Sequence, residues 1–337
     1  MAAEAGEAAS DETITSPEAV AGKAGEGHVG AGSGDEGRLV GASDELVEFA
    51  RAKINLTLSV LRKREDSFHD LASLVTFASL GDELRLRLGD ELSLTLSGPF
   101  AAEAGEGDAN LVLKAARALQ RRRLRLRLGH FHLEKRLPVA AGLGGGSADA
   151  AAALRLIARA NGLSPADPDC VQAAEETGSD VPVCLAGGSR MMRGRGEILG
   201  PQLDLPACPA VLVNPGIRLE TAPVFKALGW RAESVGAKVF VPPDSGWLDA
   251  IAACGNDLEA PAIALEPSIE TARAELAAAP GCVLARMTGS GATLFGLFAE
   301  MADAAAAAES LAKRQPRWWV EAVTLGAEAQ PVTGGRP

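Results

Sequence analysis

The sequence predicts an α+β fold, and three observations carry that expectation. Strand-like and helix-like segments come in mixed order, with antiparallel signals, rather than in the regular alternation of a doubly wound parallel sheet. One stretch rich in glycine runs directly into a long Ala/Leu helix. The length, 337 residues, suggests two domains or one large one. With 47% apolar residues the chain can bury a sizeable core. Aromatic residues are scarce and tyrosine is absent, so that core falls to Leu, Val, Ala and Ile.

Residues 1–45 are Ala, Gly, Glu and Ser with almost no large apolar side chain, a composition that cannot bury enough surface to offset its ordering entropy. They read as a disordered acidic tail, and residues 327–337 read similarly. Order is expected from about Leu46. Lys53–Leu61 alternates polar and apolar with period two, and Leu84, Leu86 and Leu88 alternate with Arg85 and Arg87, as strands do. A hairpin is expected to turn at Gly89-Asp90. Asn110–Arg123 reads as a helix with Asn110 as its N-cap. Leu124–Leu137 alternates again and reads as a strand. The arginines Arg121, Arg122, Arg123, Arg125 and Arg127 then form a helix end and one solvated strand face. The helix after the glycines should stop at Asn161-Gly162. Further elements expected are a helix over Pro168–Glu176, a turn at Gly178–Pro182, a short strand near Val183–Leu185 and a strand at Val211–Asn214. Helical patches follow around Trp247–Ala253 and Pro267–Ala278. Arg286–Glu300 reads as strand, glycine loop, strand, and Met301–Pro316 as a last helix.

The formal charge is −11, but residues 1–45 hold ten acidic and two basic side chains and so carry −8 of it. The remainder is nearly neutral and lacks the concentrated basic surface that nucleic acid needs. The five cysteines, Cys170, Cys184, Cys208, Cys254 and Cys282, form no CxxC pair and are odd in number, which argues against a disulfide framework or a zinc site. There is no signal-peptide pattern, no Arg-rich transit peptide and no apolar run long enough to span a bilayer. The expectation is a cytoplasmic protein, monomer or homodimer, with neither nucleic acid nor membrane as partner.

Leu137–Arg155 carries the strongest chemical signal. Gly142, Gly144, Gly145 and Gly146 let the backbone turn tightly and approach a ligand without Cβ obstruction. Ser147 and the helix behind it offer free N–H groups and the positive end of the dipole, a natural seat for polyphosphate. A Walker A loop would need Gly-Lys-Ser/Thr, and no Lys follows these glycines. A dinucleotide fingerprint fails at Ser147, where a third Gly belongs, and Pro138 interrupts the approach.

The segment Pro138-Val139-Ala140-Ala141-Gly142-Leu143-Gly144-Gly145-Gly146-Ser147-Ala148 resembles the phosphate-binding signature of the GHMP (galacto-, homoserine, mevalonate and phosphomevalonate) kinase family. Two further regions resemble one branch of that family, whose members phosphorylate 4-diphosphocytidyl-2-C-methyl-D-erythritol. The first holds Ala50, Ala52, Lys53, Asn55 and Leu56, then Arg64, Asp66, Phe68, His69 and Leu71, then Gly81, Asp82 and Leu84. It departs from the branch pattern at Ser67, where Gly is usual, and at Phe68, where Tyr is commoner. The second, Thr177–Leu185, holds the Asp180-Val181-Pro182 run. Gly194–Glu197, Glu220–Phe225 and Asn256–Glu259 resemble further branch segments, and Arg286–Phe298 resembles the third family motif. The resemblance spans roughly residues 46–325, in family order.

The resemblance implies a two-domain GHMP kinase fold. Its N-terminal domain would be ribosomal-protein-S5-like, at 46–205, its C-terminal domain ferredoxin-like α/β, at 206–326, and its active site would lie in the cleft between them. It implies ATP-dependent transfer of a phosphoryl group to the 2-hydroxyl of the cytidine-linked alcohol, in the non-mevalonate route to isoprenoid precursors, with ATP and Mg²⁺. Asp180 then matches the catalytic aspartate, whereas by its residues alone Gly-Ser-Asp-Val-Pro reads as a helix end or turn. Lys53 matches the active-site lysine; in an apolar strand its ammonium needs a partner, and Asp180 is the natural one. The alternative is a strand lysine that snorkels. Phe68 and His69 match a cytidine-recognition pair, one ring to stack and one imidazole to hydrogen-bond; the alternatives are core packing and a turn histidine. Asn55, Thr221, Gly289, Ser290 and Gly291 are implied on the substrate side. Asn110, Lys135, Pro138, Gly142, Leu143, Gly144, Gly145, Gly146, Ser147 and Ala148 are implied beside the nucleotide, with Ser147 also a candidate Mg²⁺ ligand. Two other readings stand beside this one: a homoserine or mevalonate kinase, which should lack the Phe68-His69 segment, and a silent ligand-binding member, which should have lost Lys53, Asp180 or the glycines.

Overall fold

A computed structural model describes residues 45–66, 68–105, 107–229 and 239–326. The segments expected as tails, Glu45 apart, and Ser67 lie outside the described residues. The first half runs β1 (Glu45–Asn55), β2 (Ser59–Lys63), β3 (His69–Gly89), β4 (Ser93–Ser97), α1 (Leu111–Arg122), β5 (Leu128–Glu134), α2 (Gly145–Ala160), α3 (Pro168–Thr177), α4 (Val181–Ala186), β6 (Arg190–Gly194) and β7 (Ile198–Gln202). The second half runs β8 (Cys208–Asn214), α5 (Thr221–Leu228), α6 (Trp247–Ala252), α7 (Glu259–Leu265), α8 (Ser268–Ala277), β9 (Cys282–Met287), β10 (Leu294–Phe298), α9 (Met301–Arg314) and β11 (Trp319–Leu325).

The long strand β3 is the spine of the first half. Strands β1, β2, β5 and β6 all pair antiparallel with it. Alternation along β3 buries Leu84 and Leu86 completely, against helices α1 and α2. In the second half β11, β8, β10 and β9 pair antiparallel in that order, and β11 meets β3 through Leu325 and Ala78. The α+β class is as expected. One core lies among α1, α2, α3, α4 and the face of β3 and β5, and another among β8, β10 and helices α5, α7, α8 and α9. A third joins the halves, with Ile54, Leu56 and Leu74 packed among Leu212, Phe295 and Val323.

Three local expectations are corrected. Gly89-Asp90 does not turn a hairpin: β5 lies between β3 and β4, and β4 pairs parallel with β5. Parallel neighbours need a crossover, and α1 supplies it. The apolar run at Val183–Leu185 is helical, not a strand. It belongs to α4, which has a proline in its first turn and buries Val181, Val183, Cys184 and Leu185. A short helix buried on nearly every side shows no periodicity, so its sequence reads like a buried strand. The arginine run is not a strand face either. Strand β5 starts only at Leu128, and the helix-end arginines tie α1 to α3: Arg121 and Arg122 to Glu176, and Arg123 to Asp167 (2.8 Å) and Asp169 (2.7 Å). Helix α1 does begin as expected, with Asn110 Oδ1 accepting the Val112 N–H at 3.0 Å. Helix α2 ends at Asn161 and the left-handed Gly162. The described cysteines form no disulfide.

Candidate active site

The glycine loop and the start of α2 form one wall of a cleft of about 1060 Å³. No side chain caps α2. Its first intrahelical bond runs from the Ala148 N–H to Gly144 O (2.9 Å), so the N–H groups of Gly145, Gly146 and Ser147 are the unpaired donors of a helix start. Two glycines are required by what lies against them. A Cβ on Gly142, at φ +78°, would sit 2.5 Å from Thr288 O. One on Gly144, at φ +62°, would press on the stem of Lys53. The glycines therefore admit neighbouring protein as much as any ligand. Bonds from Thr293 N–H to Ala141 O (3.1 Å) and from Leu219 N–H to Ala140 O (3.3 Å) fasten the loop to the second half.

Lys53 enters from β1, where the register with β3 shifts between Arg51 and Lys53. Its side chain is 4% exposed, and its Nζ lies 2.8 Å from Asp180 Oδ2. The ion pair answers the partner that a buried ammonium requires, and the snorkelling alternative does not describe this lysine. Asp180 stands at the N-terminus of α4 but its side chain makes no capping bond. Its carboxylate is thus not spent on the turn, and at 34% exposure it can meet a ligand.

Asn55, at the end of β1, is buried. Its N–H bonds Thr288 Oγ1 (2.8 Å) and its Nδ2 donates to Ser73 Oγ (2.8 Å), while its Oδ1 has no partner. The third motif comes close here, between β9 and β10. Ser290 Oγ lies 2.9 Å from Thr221 Oγ1 at the start of α5, so two residues far apart in the chain share one contact.

At another part of the cleft wall, Phe68 is 48% exposed, which rules out core packing. The turn that holds it is closed by the Arg64 N–H to Phe68 O (2.8 Å) and by Asp66 Oδ1 accepting the Phe68 N–H (3.2 Å). The Arg195 guanidinium lies 4.9 Å from the Phe68 ring centroid. His69 stacks on Phe225 of α5, with centroids 4.8 Å apart. Burial, with a smaller push from Lys63, holds the His69 imidazole below its ordinary pKa.

Lys135 behaves differently from a free phosphate-binding lysine. It is buried, and its Nζ is held by Asp82 Oδ2 (2.5 Å) and Asp149 Oδ2 (2.7 Å). Burial pushes the Asp149 carboxyl up, against the pull of Lys135. Asn110 lines the cleft while capping α1 and donating to Gly105 O (3.1 Å). Nearly all of the residues singled out from sequence line this one cleft. Ala148 and Gly291 do not; Ala148 is packed in the first core. Sequence reasoning assigned no role to Phe225, Arg195, Lys63, Lys226 or Asp149, all of which line it. Phe225 and Arg195 lie in segments already noted, Glu220–Phe225 and Gly194–Glu197, which were the available signal. Among the described residues no group of three or more His, Cys, Asp or Glu could hold a metal, and no helix is long and apolar enough to cross a membrane.

Residues 110–188 match the GHMP kinases N terminal domain and residues 244–317 the GHMP kinases C terminal. A 4-diphosphocytidyl-2-C-methyl-D-erythritol kinase of Rhodopseudomonas palustris is 51% identical over 82% of this chain and 94% of its own length. A protein of the same name from Methylorubrum extorquens is 53% identical over 82% of this chain and 97% of its own. A crystal structure of 4-(cytidine 5'-diphospho)-2C-methyl-D-erythritol kinase superposes with a TM-score of 0.66 at 36% identity, covering 84% of this chain and all of that one. Homoserine kinase from Cytophaga hutchinsonii shares the fold, with a TM-score of 0.65 at 19% identity, covering 85% of this chain and 95% of that one. The two domain matches, in chain order, and relatives half identical along nearly their whole length show that this chain belongs to the GHMP kinase family.

Proposed function

We propose that this enzyme transfers the γ-phosphoryl group of ATP to the 2-hydroxyl of 4-diphosphocytidyl-2-C-methyl-D-erythritol, with Asp180 as general base and Lys53 as its cationic partner. The observation that carries the reading is one cleft lined by the glycine loop at the start of α2, the Lys53–Asp180 pair, and the Phe68, His69 and Phe225 rings. The half-identical relatives are named for that substrate. The third ring, Phe225, favours a base-bearing substrate over mevalonate or homoserine, which have no ring to stack.

Phosphoryl transfer asks the protein mainly for alignment and for positive charge against the spreading negative charge. The unpaired N–H groups of α2 and its dipole suit the β- and γ-phosphates. The Asp180 carboxylate accepts the hydroxyl proton as the oxygen attacks the γ-phosphorus and ADP leaves. The Lys53 ammonium holds that carboxylate in place and adds positive charge beside the reacting oxygens. Asn55 Oδ1, buried and without a partner, is suited to accept a substrate hydroxyl. Mg²⁺ takes hard oxygen ligands and would come with the polyphosphate. Ser147, at the helix start, is the hard-oxygen donor that fits it, and the ion would neutralise phosphate charge. In the test, enzyme is incubated with ATP, Mg²⁺ and the cytidine-linked alcohol, and the product is located by phosphorus–carbon NMR coupling. Phosphate on C2 supports the reading; ATP hydrolysis without a phosphorylated alcohol contradicts it.

A further inference from the structure

Beneath the glycine loop, at the edge of the cleft, lies a group of ionisable side chains that the proposed chemistry does not use. Asp82, in the middle of β3, is fully buried. Its Oδ1 accepts the N–H groups of Arg136 (2.6 Å) and Leu137 (2.8 Å), the two residues that lead into Pro138. Its Oδ2 accepts Lys135 Nζ, and the same ammonium donates to Asp149 Oδ2 in the second turn of α2. One carboxylate therefore grips the chain where it enters the loop. Through one ammonium it also grips the helix where the chain leaves. A Cβ on Gly145 would lie 3.1 Å from Lys135 Nζ and 3.7 Å from Asp82 Oδ2, so this group of charges lies directly under the first residue of α2.

Stability does not account for such an arrangement. Burying an ammonium between two carboxyl groups is costly, and well-packed apolar residues of similar volume often serve as well or better. What the charges provide that apolar packing cannot is direction: fixed bonds to two backbone N–H groups on one side of the loop and to one helix on the other. We propose that Asp82, with Lys135 and Asp149, is a positioning device that sets the opening of the glycine loop, so that the N–H groups at the start of α2 meet a polyphosphate. The proposal rests on the reading of the loop as the ATP seat. It gives Asp82 a role in nucleotide binding without contact to the nucleotide.

The test uses the whole enzyme and a hydrolysis-resistant ATP analogue, the β,γ-imido compound, titrated by calorimetry. The Asp82→Asn variant keeps the shape and the acceptor for Arg136 and Leu137 but removes the charge that holds Lys135. Its dissociation constant for the analogue should rise about 10- to 100-fold, the usual effect of loosening groups that orient a site. The KM for the alcohol substrate should stay within about twofold, since the device bears on one substrate only. Asp149→Asn, which breaks the device from the α2 side, should act in the same direction. The double variant should be no worse than the worse single one, because both break one unit. Two folded variants with lowered melting temperatures and undiminished affinity for the analogue would overturn the proposal, leaving the charges as a structural element. If Asp82→Asn does not fold, Asp149→Asn decides by the same criterion. The wild-type titration, made first, separates the two readings. No binding there overturns the ATP seat and this proposal together, whereas binding to wild type and equal binding to the variants overturns this proposal alone.

Discussion

Lys53 Nζ and Asp180 Oδ2 stand 2.8 Å apart, one delivered by β1 and the other by the residue that opens α4. The lysine is sealed from water and the aspartate is not. An ion pair with one buried and one accessible partner keeps its geometry while leaving an oxygen for the substrate. Asp180→Asn should therefore keep the fold and both KM values but lose about 10²- to 10⁴-fold in kcat, the usual share of a general base. Lys53→Met should also lower kcat, and the double variant should lose less than the product of the two, because the side chains act as a unit. Steady-state kinetics on the four proteins checks this; strictly multiplicative losses would mean that the pair does not function together.

Phe68 offers nearly half its surface to the cleft, so removing its ring should cost little stability. Phe68→Ala should raise KM for the cytidine-linked substrate by the equivalent of about 1–3 kcal/mol, the worth of one stacked base, and leave KM for ATP unchanged. Phe225→Ala should act the same way through His69, its stacking partner. Equal effects on both substrates would assign these rings to the scaffold.

The pH dependence follows from the His69 imidazole. Its pKa is lowered, so the neutral form persists to more acid pH than in a free histidine. KM for the cytidine-linked substrate should accordingly stay flat from neutrality down past the ordinary histidine pKa of about 6.5, and rise only below it. His69→Gln should abolish that rise. A KM that climbs already at about pH 7, above that ordinary value, would mean that His69 is not held neutral.

Gly142 is packed by backbone, not by flexible side chains. Gly142→Ala places a Cβ against Thr288 O and forces a left-handed φ on a residue that resists it, so it should destabilise the protein by about 1–3 kcal/mol. A melting curve checks the loss. An unchanged melting temperature would mean that the third-motif loop yields easily.

The parts of this account readable from sequence are those whose signal is local. The glycine loop, the Asn110 cap and the Asn161-Gly162 helix end each depend on a few adjacent residues, and each stands where expected. The Lys53–Asp180 pair crosses most of the first half, and only the resemblance to a family brought its members together. Phe225 carries no separate signal, because an aromatic residue in a short helix reads as core. The Asp82–Lys135–Asp149 group is invisible in sequence because its three members lie on β3, on the segment after β5 and on α2, and no spacing rule connects them. The same holds for the β4–α1–β5 crossover: a Gly-Asp turn gives the chain a change of direction but does not say which strand becomes the neighbour. Helices α5 and α7 and strand β11 escape a reading by pattern because each is short and mostly apolar, with no clean period of its own.

The most direct test is phosphate transfer from ATP measured side by side with 4-diphosphocytidyl-2-C-methyl-D-erythritol, mevalonate and homoserine as acceptors. The account predicts that kcat/KM for the cytidine-linked alcohol exceeds the other two by at least about 10³-fold, since those lack the base that the Phe68, His69 and Phe225 rings would bind and so forfeit several kcal/mol. Comparable rates with mevalonate or homoserine, or no transfer to the cytidine-linked alcohol, would contradict it.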